Sequence, residues 1–309
     1  MIEVPETFVR TTVDREGEPG AHWLAGLPAL LGELTDRWGC VPDGDVVHGG
    51  VGIVVPVATP DHGPAVIKVS YPHPGNDHEP DAFAAWGGHG AVRLYARDDS
   101  RYAMLLERVH SDSLAEVEDV EEVARVAGRV ARRLAVPAPS AELPRLRDMV
   151  ARWADELRLD RRELEHALPG RVIDAALATA RELGPSQPSL LVHGDLHARN
   201  ILRAEREPWL AVDPKGWVGD PAYDAGTLLK PLALRILPAD ALKTAHRLMD
   251  LFSEEAGLDR ERVGRWAHFQ IVRACFWGRR HGFRVARAGT RLDAVTRLAD
   301  HFAELLTPA

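Results

Sequence analysis

Cysteine is scarce in this chain of 309 residues: Cys40 and Cys275 lie far apart, and neither has a metal-ligating neighbour at a useful spacing. No disulfide framework or structural zinc site is therefore implied, and both thiols are expected to be reduced. No apolar run approaches bilayer length, and the opening MIEVPETFVR carries charges where a secretory leader would be apolar. A cytoplasmic protein without a membrane partner is expected. Positive charge is also in deficit, with 38 Lys and Arg against 46 Asp and Glu, a net charge of −8 and a pI near 6.0. That balance argues against nucleic acid and favours a small, polar or cationic partner. Internal repeats and low-complexity segments are absent, as are the G-x-G-x-x-G and GKS/GKT phosphate-loop patterns.

Against these absences stands one stretch, Leu190 to Asp224, whose polar residues occupy spacings that an apolar core does not explain. Asp195 and Asn200 lie five apart within HGDLHARN, and Asp213 follows the apolar run Trp209 to Val212. The order repeats the parts of a kinase site: an Asp that takes the acceptor hydroxyl proton, an Asn that holds one magnesium, and a strand-end Asp that holds the metals. Pro214 stops any helix there and leaves the Asp213 carboxylate at the end of a strand. His193, Asp195 and Asn200 could each satisfy a turn on its own. All of them together are more than a turn needs.

Upstream, Pro64 to Val69 reads as a strand carrying Lys68 among apolar neighbours. Such a lysine meets the α and β phosphates and pairs with a glutamate on the next helix. Glu79, at the start of the helical stretch 79–86, is the candidate, with Asp77 and Asp81 as alternatives. Gly50 lies in the glycine turn 49–52 before Ile53 to Val57, where backbone N–H groups could fold over phosphates, or where a hairpin could need positive φ. Strands are expected at 91–95 and 102–107, and Glu107-Arg108-Val109 reads as a link whose backbone would face adenine. A helix over 21–38 with a kinked lead-in at Pro28 precedes them.

Downstream, Ser113 and Glu116 form a capping box expected to open a helix continued by Val123, Val126, Ala127, Val130 and Leu134. Helical patterns follow at 145–168, 171–183, 224–235, 239–256, 259–280 and 290–306, with one short strand pair among them. A strand-rich first third before a helix-rich remainder makes an α+β, two-lobed arrangement; the protein-kinase-like form of it is what the family resemblance given next implies. The expected division is 1–108, a small β-rich nucleotide-binding lobe with a leading helix, and 109–309, a larger helical lobe holding the catalytic loop and acceptor site.

VHGDLHARN, AVDP and GDPAYD together resemble the aminoglycoside phosphotransferase family. LPAL near residue 27, AWGGHGAVRLY at 85–95, LLER at 105–108 and EREPWLAVDP at 205–214 are similar to its streptomycin 6-kinase and hydroxyurea phosphotransferase branch. The resemblance implies ATP and Mg²⁺, with Asp195 as catalytic base, Asn200 and Asp213 as metal ligands, Lys68 on the ATP phosphates and Glu79 orienting Lys68. Where many relatives have Pro-Gly or similar, this chain has Ala198-Arg199, positions that supply no ligand. His193 and His197 are expected to orient the loop, and Asp220 and Asp224 to tie backbone or cap it.

The acceptor is less constrained. Asp240, Asp250, Glu254 and Glu255 could meet amino or guanidinium groups, or form a solvated helix face. Trp266, Gln270, Arg273 and Trp277 share a helical face. A sugar or amino-sugar kinase would use the same catalytic residues. A phosphoesterase using His193-x-Asp195-x-His197 as metal ligands would need further ligand clusters that are not evident, and an inactive binding module would not need Lys68, Asp195, Asn200 and Asp213 together.

Overall fold

The computed structural model describes residues 2–140, 142–164, 167–236, 240–283 and 289–308, without the side chains of 233–236. Two compact units divide the chain, Met1–His110 and Ser111–Ala309.

The first unit opens with helices α1 (Glu6–Glu16) and α2 (Glu18–Arg37). Strands β1 (Val41–Pro42), β2 (Val47–His48), β3 (Gly52–Thr59) and β4 (Gly63–Ser70) follow, then α3 (Glu79–Trp86), β5 (Leu94–Asp98) and β6 (Ala103–Glu107). They build an antiparallel sheet in the order β1-β3-β4-β6-β5, with β2 also paired to β3. Side chains alternate across a strand. Ala65, Ile67 and Val69 of β4 accordingly join Leu24, Leu27, Leu31 and Leu34 of α2 in one apolar cluster. Each fully buried leucine there contributes roughly 1.5–3 kcal/mol. Lys68, between Ile67 and Val69, is left on the opposite face.

Several expectations shift. Helix α1 was not anticipated, and α2 runs unbroken through Pro28 where a kinked lead-in was expected. The strand expected at 91–95 lies at 94–98 instead, with a bulge between Leu94 and Ala96 in its pairing to β6. Ala91 and Val92 are apolar because they are buried.

In the second unit the Ser113–Glu116 capping box is present, but it heads a single 3-10 turn, Leu114–Glu116. The long helix α4 (Val120–Leu134) starts later, where the Asp119 side chain accepts from Glu121 N–H at 2.9 Å. Next come α5 (Leu146–Glu163), α6 (Gly170–Leu183), β7 (Leu190–Val192), β8 (Ile201–Arg203), β9 (Trp209–Ala211) and β10 (Trp217–Gly219). Helices α7 (Asp224–Ile236), α8 (Ala241–Ala256), α9 (Arg260–His281) and α10 (Gly289–Leu305) complete it. Residues 165, 166 and 239, included in the expected helical patterns, lie outside the described residues. Among those described there are two strand pairs rather than one, β7 with β10 and β8 with β9. They hold the HGDLHARN loop and Asp213 between them. Helix α9 touches α5, α6, α7, α8 and α10, with Trp266, Phe269, Gln270 and Phe276 buried along it. Trp277, expected on the same face, is 52% exposed. No described helix is long and apolar enough to cross a membrane.

At Gly128 helices α4 and α8 approach closely. A Cβ there would come within 2.8 Å of both the Phe252 carbonyl and the Glu255 Cβ. Helix propensity alone favours Gly128→Ala by about 1 kcal/mol, whereas the forced separation costs about 1–3 kcal/mol. We expect a lower urea midpoint for Gly128→Ala, and an unchanged or raised midpoint would mean that the two helices part freely.

Candidate active site

The catalytic-type loop is held from behind by a buried carboxylate. Asp224, the first residue of α7, accepts from His193 N–H at 3.0 Å through Oδ2 and from Gly194 N–H at 2.9 Å through Oδ1. Burial pushes its carboxyl up to about 7, against the lowering effect of those N–H donors. Gly194 has φ +81°, and a Cβ would stand 2.8 Å from the Trp217 ring. Conformation and space both require glycine at that turn.

The His193 ring is fully buried, and its two nitrogens have different tasks. Nδ1 accepts from Asp195 N–H at 3.2 Å, so Nε2 carries the proton and donates to the Val212 carbonyl at 2.9 Å. One neutral tautomer satisfies both bonds. Desolvation lowers the imidazole to about 4 and keeps it neutral. The ring thereby links the backbone at Asp195 to the residue before Asp213. Lys215 N–H donates to the His193 carbonyl at 2.7 Å, and Val212 N–H to the Asn200 carbonyl at 2.9 Å.

Asp195 itself is well presented, its side chain 38% exposed. His197 Nε2 lies 4.0 Å from its Oδ2. Asn200 is buried and donates through Nδ2 to the Asp195 carbonyl at 3.0 Å, so its amide oxygen is not used in that bond. Asp213 sits at φ +57°, a left-handed conformation unusual for a non-glycine residue, with its side chain exposed. An amide oxygen and a carboxylate are hard donors of the kind Mg²⁺ takes when substrate phosphates complete its shell. Among the described residues no group of three or more His, Cys, Asp or Glu could hold a metal alone.

In the first unit, the Lys68 ammonium is 2.5 Å from Glu79 Oε1, with both side chains buried. The alternatives are engaged elsewhere: Asp77 accepts from the Tyr102 hydroxyl at 2.8 Å, and Asp81 pairs with Arg97 at 2.9 Å. Glu79 also lines a cavity of about 120 Å³ with Ser70, Asn76, Tyr102 and Met104. Gly50 has open space around it, and its φ is not positive, so a hairpin's conformational need does not explain the glycine. Glu107 ends β6 and accepts from Arg93 N–H at 3.0 Å.

The structure also gathers residues around Asp195 that were not foreseen. Tyr223 and Lys230 lie within electrostatic reach of its carboxylate, and Arg273 acts in turn on Lys230. The Arg273 guanidinium lies 3.7 Å over the Trp153 ring, and Trp153 in turn packs on Trp217 and Tyr223. Helices α5, α7 and α9, strand β10 and the turn before α7 supply this group, so no local motif announces it; Arg273 on its helical face and a lysine inside TLLKPLAL were the available hints. The carboxylates considered for the acceptor are partly committed, Asp250 to Arg260 at 2.5 Å and Glu255 to Arg129 at 3.2 Å. Asp220 is buried against the Trp266 indole N–H at 2.6 Å and the Arg262 guanidinium.

Residues 37–282 match the family described as aminoglycoside/hydroxyurea antibiotic resistance kinase. The chain belongs to that family. It is a kinase, a phosphotransferase with an alcohol group as acceptor. It is 35% identical over 280 residues to a streptomycin 6-kinase of Streptomyces glaucescens, covering 90% of this chain and 91% of that protein. A streptomycin 6-kinase of Streptomyces griseus is 36% identical over 279 residues, covering 89% and 91% respectively. A hydroxyurea phosphotransferase of Kitasatospora aureofaciens is 33% identical, covering 90% of this chain and 80% of that one. A choline/ethanolamine kinase family protein from Mesorhizobium loti shares the fold with a TM-score of 0.59 at 15% identity, covering 91% of this chain and 95% of that chain. The architecture is thus the two-lobed, α+β protein-kinase-like fold of small-molecule kinases.

The buried His193 ring gives the site a pH signature. Its folded-state value of about 4 lies below the ordinary 6.5, so its stabilising contribution is present above pH 6.5 and is lost as pH falls through about 4. Asp224 acts in the opposite sense, its contribution lost as pH rises from the ordinary 3.8 through about 7. In urea titrations between pH 7 and 4, His193→Gln should lose less stability on acidification than wild type. Parallel profiles would show that the ring is not held neutral.

Proposed function

We propose that this kinase transfers the γ-phosphoryl group of ATP to a hydroxyl of streptomycin, inactivating the antibiotic by O-phosphorylation. The near full-length likeness to two streptomycin 6-kinases carries this reading. The loop geometry supports it, with Asp195 exposed on a backbone fixed by Asp224, His193 and Asn200. In this reading the Asp195 carboxylate orients the acceptor hydroxyl and takes its proton as oxygen attacks phosphorus. Lys68, steadied by Glu79, binds the α and β phosphates, and the turn at Gly50 and the backbone at Glu107 lie along the nucleotide. The Asn200 amide oxygen and the Asp213 carboxylate would hold Mg²⁺, which would supply neutralising charge on the phosphates. The chain's net charge of −8 suits a cationic acceptor better than nucleic acid or an anionic membrane. The cytoplasm, where ATP is available, is the expected compartment.

The likeness to hydroxyurea phosphotransferase favours a second reading with the same catalytic residues and hydroxyurea as acceptor. Turnover of both compounds, other aminoglycosides and amino sugars by the purified protein, with ATP and Mg²⁺, distinguishes the two. Streptomycin should be the preferred acceptor. Asp195→Ala should lower kcat by at least about 10²-fold, and Asn200→Ala should raise the Mg²⁺ concentration needed for half-maximal rate. Wild-type turnover of an amino sugar alone would move the enzyme into metabolism, and an active Asp195→Ala would remove the assigned base.

A further inference from the structure

Helix α1 lies against the glycine turn that precedes β3. Arg15, in the last turn of that helix, donates from its guanidinium to the Gly50 carbonyl. His48 Nδ1 bonds the Gly49 carbonyl at 3.1 Å and must donate, because a carbonyl only accepts. In the neutral ring Nε2 then accepts from the Thr7 hydroxyl at 2.8 Å, and the Phe8 ring stands 5.3 Å from the same imidazole. Tyr71 N–H donates to the Val51 carbonyl at 2.8 Å, with the Tyr71 ring edge-on to Trp23 of α2. Gly49 N–H closes the turn on the Gly52 carbonyl at 2.9 Å.

The carbonyls of Gly49, Gly50, Val51 and Gly52 are thus all engaged, whereas the N–H groups of Gly50 and Val51 have no protein partner among the described residues. A trans peptide points its carbonyl and its N–H in opposite directions. By holding the Gly50 carbonyl toward α1, Arg15 therefore turns the Val51 N–H away from α1 and fixes the peptide plane between them. Gly50 is exposed, its φ is not positive, and a Cβ there would meet nothing within 4 Å. Neither conformation nor packing asks for glycine at this position, which leaves the close approach of a ligand to the backbone. Two successive free N–H groups on an exposed turn suit the oxygens of an anion.

Resting on the phosphotransfer reading above, we propose that Arg15 is a positioning residue for the nucleotide, fixing the Gly50–Val51 peptide so that the Val51 N–H is already aimed at a phosphate oxygen when ATP arrives. Helix α1, which precedes the sheet, thereby becomes part of the nucleotide site. Arg15 acts through the turn, and its contribution is preorganisation: a turn that is fixed beforehand loses less freedom on binding. Glu16 pairs with the Arg15 Nε at 2.5 Å and holds the guanidinium in place. The Arg15 side chain is 34% exposed, so its replacement leaves the packing of the first unit intact.

The test compares full-length wild type with Arg15→Met, Arg15→Gln and Arg15→Lys in the presence of Mg²⁺. It measures the affinities for ATP, ADP and adenosine, the KM values for ATP and streptomycin, and kcat. In Arg15→Met and Arg15→Gln the affinities for ATP and ADP should fall about tenfold and KM for ATP should rise to match, with adenosine affinity, streptomycin KM and kcat held within about threefold. Arg15→Lys, which can still donate to a carbonyl, should recover most of the loss. By amide NMR of wild type, the Val51 resonance should move on adding ADP and stay in place on adding adenosine. Nucleotide affinity within about threefold of wild type in both neutral variants would overturn the assignment. So would an equal loss of adenosine affinity, which reports a general loosening of the unit, or a Val51 resonance unmoved by ADP. Wild type without ATP binding or transfer would overturn the phosphotransfer reading itself, an outcome separate from active wild type with equally active variants.

Discussion

The Asp224 carboxylate on two successive N–H groups is the contact on which the HGDLHARN loop depends. A turn through Gly194 at positive φ points its amides inward, where water cannot reach them, and buried amides must be satisfied. Asp224 does so at the cost of an ionisation made difficult by burial. The His193 ring continues the same arrangement to the Val212 carbonyl, so one helix start, one turn and one strand end are fixed together. Asp195 can then be exposed without being mobile, because its rigidity comes from its backbone.

The first unit uses a different device for a comparable end. Lys68 is aimed by strand alternation: its neighbours in β4 are fixed by α2, so the lysine must leave by the other face. Glu79 receives it at the first turn of α3, next to a cavity rather than in solid packing. The first unit thus keeps its lysine and glutamate on regular structure, whereas the second carries Asp195 and Asp213 on short connections between strands and fixes them through the backbone.

The loop was legible in the sequence because its polar residues are crowded beyond what turns require, and Lys68 because a lysine is anomalous inside an apolar strand. The helices from α5 onward were legible through their apolar period. Strand β5 was misplaced because Ala91 and Val92 are buried ahead of the strand proper, and an apolar pattern reports burial without marking where a strand begins. The capping box at Ser113 was recognised but joined to the wrong helix, since the motif marks the start of a turn and says nothing about its length. Arg273 was noticed only as one of a helical face, and its grouping with Trp153, Tyr223 and Lys230 was invisible because they converge only when α5, α9 and the chain leading into α7 pack.

Asp213 carries a last implication, for the history of the fold. At φ +57° the position suits asparagine nearly as well as aspartate, and glycine better. The backbone would therefore survive a change that removes the charge. A lineage could lose its chemistry here in one substitution while keeping its shape, and binding proteins descended from this kind of enzyme should first be sought among chains with Asn or Gly at this position.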